Sequence, residues 1–226
     1  MNKSKRYQII SLVCTSLRYL RLHNQGLILL ALISLLSFPL FAQQAWTPER
    51  NKHYRLLADT QPSELQQIEL FCWLGSPSCF QIESALSDWR DDQDITVINT
   101  PLIKRPEWRL LAKARLVAQQ MEIENDLVES IYRTIHIESE SIETEEQLFA
   151  HIEAFGLEPS RFANQFYSAA TNKEIKRIQN RADTLPIVGV PTIIINNQWL
   201  IDASMIENSR QMLIIIEQLI NDAATP

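Results

Sequence analysis

The order strand, strand, helix, strand, a block of helices, then a hairpin and a last helix predicts an α/β fold that carries an inserted all-helical subdomain. Two observations support it. Residues 67–74 are almost continuously apolar through Ile68, Leu70, Phe71, Cys72 and Trp73, the composition of a central strand covered on both faces. From Glu107 to Arg181 the strand signal disappears and apolar residues recur at helical spacing.

A short strand is expected over 52–57, and turn residues at 59–63 separate it from the apolar strand. After the sequence Ser76-Pro77-Ser78-Cys79, the residues Phe80, Ile82, Ala85, Leu86 and Trp89 repeat at helical spacing as far as the acidic cluster Asp91, Asp92 and Asp94. Residues 95–99 alternate as a further strand, and Pro101 and Pro106 punctuate its exit. Helices are expected over 108–121, 126–137, 145–155, 160–170 and 173–182. Gly156 fits a helix C-cap and Pro159 the first turn of the next helix. The chain returns to strand at Thr192–Ile195, turns at Asn196-Asn197, pairs back through 198–201 and ends in a helix over 204–221. Gly75 and Gly189 flank the segments of interest, which suggests backbone that needs freedom or close approach there.

The 226 residues, 46% of them hydrophobic, suffice for one domain with an insertion. Residues 1–42 read as a signal peptide or signal anchor: Lys3, Lys5, Arg6, Arg18 and Arg21 precede an uncharged apolar run over 27–42. That run is broken by Pro39 and falls short of a spanning helix, which favours removal, with cleavage after Ala42 or Ala45. Leu40 and Gln43 stand where those two sites want a small residue, so retention as an anchor also remains open. Loss of 1–42 leaves 16 basic residues against 27 acidic ones, a net charge of −11. Such a surface excludes nucleic acid and anionic membranes as natural partners. Export also removes Cys14 and leaves Cys72 and Cys79 where disulfides persist. Their spacing leaves both a bridged and an unbridged pair open, because six residues run off a strand and into a helix between them.

The loop Ser76-Pro77-Ser78-Cys79 makes a good helix start, with a serine cap and proline at the first helical position. In a thiol-disulfide enzyme the first place of such a Cys-x-x-Cys loop holds a thiolate, its pKa depressed by the helix N-terminus. Serine there has no route to a mixed disulfide. Cys79 falls in the first helical turn, and Cys72 reads as a small core residue. His53, His136 and His151 are scattered, and no Cys, His and Asp group has metal-ligand spacing. Trp73 and Trp108 fit either core or a substrate groove, and the acidic run over 138–146 fits a solvated linker.

Four segments in order, Asn51-Lys52-His53-Tyr54, Ile68-Glu69-Leu70-Phe71, Pro77-x-Cys79-Phe80-Gln81-x-Glu83 and Gly189-Val190-Pro191-Thr192 before a strand and an Asn-Asn turn, resemble the DsbA-type periplasmic thiol:disulfide oxidoreductase family. The resemblance spans the exported part and implies a thioredoxin-like fold. Residues 43–106 and 185–226 would form the two parts of the thioredoxin-like domain and 107–184 the helical insertion. It further implies a cis Val190-Pro191 bond against the active-site loop. Pro77, Ser78, Val190, Pro191 and Thr192 would then meet an extended substrate, Glu69 would modulate the site, and Cys79 would be the buried second cysteine. Two departures stand out. Ser76 occupies the nucleophile's position, and the segment from Glu69 to Ser76 is one residue longer than usual. No lysine in the 95–99 strand balances Glu69.

Three functions fit the sequence. The first is an exported, periplasmic, redox-impaired DsbA-like protein that binds unfolded or extended polypeptides, with no cofactor and no metal. The second is an active oxidoreductase that uses Cys79 with Cys72. The third is a glutathione-dependent transferase or isomerase in which Ser76 donates a hydrogen bond to a thiolate, as in kappa-class glutathione transferases of similar fold.

Overall fold

The computed structural model describes residues 46–58, 60–63, 66–90 and 95–223; the signal reading of 1–42 and the cluster Asp91, Asp92 and Asp94 lie outside them. Pro48–Pro226 form a unit of their own. Its strands are β1 (Arg55–Leu56), β2 (Gln67–Cys72), β3 (Thr96–Pro101), β4 (Thr192–Ile195) and β5 (Trp199–Asp202), in the order β1-β5-β4-β2-β3. β2 runs parallel to β3 and antiparallel to β4, and β5 antiparallel to both β4 and β1. The apolar run explains β2's inner place: Ile68, Leu70 and Phe71 are fully buried.

Helix α1 (Pro77–Arg90) follows β2 and packs on the final helix α7 (Ser209–Ala223). Between β3 and β4 lie five helices, α2 (Arg109–Gln120), α3 (Glu124–His136), α4 (Glu145–Ala154), α5 (Pro159–Phe166) and α6 (Ala169–Asp183). The fold is therefore α/β with a helical insertion, as expected. Local chemistry sets the helix ends. Thr144 and Gln147 form a capping box for α4, and Glu158 caps α5 ahead of Pro159. Gly156 takes φ 93° at the end of α4, where Leu157 N–H reaches the Ile152 carbonyl at 3.1 Å. The core joins the sheet to α6 through Leu57, Phe71, Leu102, Ala182, Ile187, Ile194 and Leu200. A second cluster, Ala112, Leu116, Ile175 and Ile178, ties α2 to α6.

Several expected boundaries move. The strand expected over 52–57 shrinks to two residues because Asn51 turns the chain at φ 66° and His53 Nδ1 accepts the Glu49 N–H at 2.9 Å. The helix expected over 160–170 ends at Phe166, since Ser168 caps α6 with its hydroxyl on Thr171 N–H. The last helix begins at Ser209 instead of 204: Asp202 accepts from Ser204 N–H and starts a separate 3₁₀ turn, Ala203–Met205. Gly189 has neither a positive φ nor a neighbour that a Cβ would strike, so the need for glycine expected there is not seen.

Candidate functional site

β2 ends at Cys72, and the chain must reverse before α1 can pack back over the sheet. A turn closed by Ser76 N–H on the Trp73 carbonyl at 2.9 Å does this. Ser76 then starts α1: its hydroxyl accepts Cys79 N–H at 3.3 Å and its carbonyl accepts Phe80 N–H at 3.1 Å, with Pro77 next in line. The chain reversal also brings Cys72 and Cys79 to a Cα separation of 5.7 Å, and they form a disulfide. The bridge is enclosed, with Cys72 1% and Cys79 0% exposed.

Gly75 lets the loop fold this tightly. A Cβ there would lie 2.2 Å from the Trp73 indole, which stacks on Trp108 with centroids 4.7 Å apart and planes 4° off parallel. Gly75→Ala is therefore expected to push the Trp73 ring off Trp108. Tryptophan emission should change in wavelength or yield, and an unchanged spectrum would contradict the packing.

Phe71 pairs with Thr192 across β2 and β4, so the residues before Thr192 lie at the same sheet end as the loop. The Val190-Pro191 bond there is cis. Pro191 shares a groove of about 90 Å³ with Ser78, Gln81 and Ile82 of α1. Thr192 Oγ1 donates to the Gly189 carbonyl at 2.8 Å and the Pro191 carbonyl accepts Ala203 N–H at 3.1 Å. No hydrogen bond among the described residues engages the Val190 N–H or carbonyl. A free backbone pair beside a shallow groove can take an extended chain as one more strand.

The carboxylate of Glu69 is not left unbalanced. Arg181 of α6 donates to it at 2.8 Å and also to Asn197 Oδ1 at 2.9 Å, while Thr100 Oγ1 donates at 3.1 Å. The cation comes from the helical block and not from the 95–99 strand, a placement that nothing in the sequence signals. His136, read as a scattered polar residue, bonds the Leu74 carbonyl through Nε2 at 2.9 Å and stacks on Phe80. Behind α1, Glu83 accepts both terminal nitrogens of the buried Arg115 and the Tyr132 hydroxyl, the last at 2.6 Å. Burial opposes the Arg115 charge, yet Glu83, Tyr132 and Glu124 together more than offset it and raise its pKa. Among the described residues no group of His, Cys, Asp and Glu could hold a metal ion.

A cis-proline turn facing the first turn of a helix across a shared groove, at the end of the strand that leads into that helix, is thioredoxin geometry. The chain belongs to the DSBA-like thioredoxin domain family, whose family model matches residues 67–213. The thiol:disulfide interchange protein DsbA of Pseudomonas aeruginosa strain PAO1 is 24% identical over 202 residues, 87% of this chain and 95% of that protein. The protein of that name from Azotobacter vinelandii is 22% identical over 71% of this chain and 75% of its own length. The crystal structure of Pseudomonas aeruginosa DsbA superposes with a TM-score of 0.72 at 20% identity, over 78% of this chain and 95% of that one. A cysteine-to-serine variant of Proteus mirabilis DsbA, in complex with a non-covalently bound peptide, gives 0.62 at 17% identity over 77% and 99%.

Proposed function

We propose that this protein is an exported, periplasmic, redox-impaired DsbA-like member whose cis-proline face holds extended or unfolded polypeptides. One observation carries the reading: Ser76 stands at the start of α1 as a cap, while Cys72 and Cys79 are joined to each other out of solvent. Without a thiolate at position 76, no sulfur is offered to a substrate disulfide or dithiol. Binding remains. The Val190 N–H and carbonyl would pair with substrate backbone, with Pro77, Ser78 and Pro191 around it, the buried Thr192 behind the turn, and Glu69, held by Arg181, modulating the site from β2. The Proteus variant, a DsbA with serine in place of a cysteine and a peptide bound without a covalent link, supports the same arrangement here. Residues 43–106 and 185–226 serve as the two parts of the thioredoxin-like domain and 107–184 as its insertion. Export rests on the signal reading of 1–42; among the described residues no helix is long and apolar enough to cross a membrane.

The test pairs binding with turnover. A fluorescent extended peptide should bind the native protein, and Val190→Pro, which deletes the backbone donor, should weaken binding by about tenfold at a temperature where circular dichroism shows both proteins folded. Native protein should show only background dithiol oxidation, and Ser76→Cys should raise it clearly above that level. Absence of peptide binding would sink the reading.

The bridge itself favours a second reading, exchange through Cys79 with Cys72. A substrate thiolate would attack one buried sulfur, form a mixed disulfide and release the other sulfur as thiolate. A second substrate thiolate would then resolve the mixed disulfide and leave the protein as a dithiol. Robust oxidation by native protein that is lost in Cys72→Ala would select it.

A further inference from the structure

We infer that the cavity between α1, β3, α2 and α3 binds a small organic cation, an ammonium or guanidinium head on an apolar stem. The cavity measures about 460 Å³, within the range of small-molecule sites. It lies on the α1 face that carries Phe80, Glu83, Ser84 and Ser87, whereas Ser78, Gln81 and Ile82 face the cis proline. The two sites are therefore distinct, and this inference does not depend on the polypeptide reading.

Charge defines the ligand. Arg115, 1% exposed, forms the inner wall, and Glu83 and Glu124 share its single positive charge. Glu124 lies 3.3 Å from Arg115 Nε and accepts from Gln119 Nε2 at 3.1 Å, so two carboxylates stand against one buried guanidinium and the network is undersupplied with positive charge. Burial pushes the Glu124 carboxyl above the usual carboxylate range, against the pull of Arg115. At the rim Asp88 and Arg90 offset each other, and Glu129 is paired with Arg133, so the carboxylate excess lies at the inner wall. A monocation seated against Glu124 would balance the second carboxylate. Its stem would lie along Val97 and Val128, beside the Phe80 and Tyr132 rings that also line the cavity.

Calorimetric titration of the full chain with phenethylamine, 2-phenylethanol and 3-phenylpropionate tests this. The amine should saturate one site and bind at least about tenfold more tightly than the alcohol, and the carboxylate should not bind. Glu124→Gln should remove the amine's advantage and leave the alcohol unchanged. Ser87→Trp, a change at an exposed lining position, should block all binding. Equal affinity for amine and alcohol, no binding of the amine, or amine binding that survives Ser87→Trp would overturn the inference.

Discussion

Arg115→Met lowers the stability of the folded chain by about 3–5 kcal/mol, the cost of leaving buried carboxylates without their counter-charge. The side chain is 1% exposed and its partners Glu83 and Glu124 only 12% and 23%. Their carboxylates have little water to turn to when the guanidinium goes. At about 2–4 °C per kcal/mol for a chain of this size, the melting temperature falls by about 6–20 °C. The denaturant midpoint should fall with the slope unchanged. A triple change, Arg115→Met with Glu83→Gln and Glu124→Gln, should recover most of the loss, since the penalty lies in orphaned charge and not in lost volume. A single variant within about 1 kcal/mol of the native protein would contradict the burial assigned to the network.

Cys72→Ala removes the second large contribution. The bridge closes a short loop, with a sequence separation of 7, and loop-closure entropy for that length gives about 2.5 kcal/mol. The melting temperature should fall by about 5–10 °C. Reductant supplies the control: it should lower the native protein's melting temperature by a similar amount and leave the variant's unchanged. If reductant moves both equally, the loss in Cys72→Ala comes from core packing and not from the cross-link.

Much of this arrangement can be read from residue order. The run Ile68 to Trp73 marks the central strand, helical spacing marks the insertion, and Ser76-Pro77 marks the start of α1, because each is a local preference that the packed chain keeps. Features made by distant segments leave no such trace. Arg181 meets Glu69 across a separation of 112 residues, and His136 meets Leu74 across 62. Neither has a neighbour in sequence that announces it. The Cys72–Cys79 pairing lies between these cases: two cysteines near a loop are visible, but their approach depends on the reversal at Gly75, which a spacing of six residues does not fix. Ser168 shows a third kind of difference. Its cap splits a helical pattern that looks continuous from Ser160 to Ala170, since apolar spacing carries no phase break where one helix stops and another begins.

The bridge from the end of β2 to the first turn of α1 makes the intervening residues a covalent ring. A protease that cuts the chain once between Trp73 and Ser78 would thus not separate its two halves. The nicked protein would migrate as a single species on a non-reducing gel and fall into two fragments only after the sulfur link is cleaved.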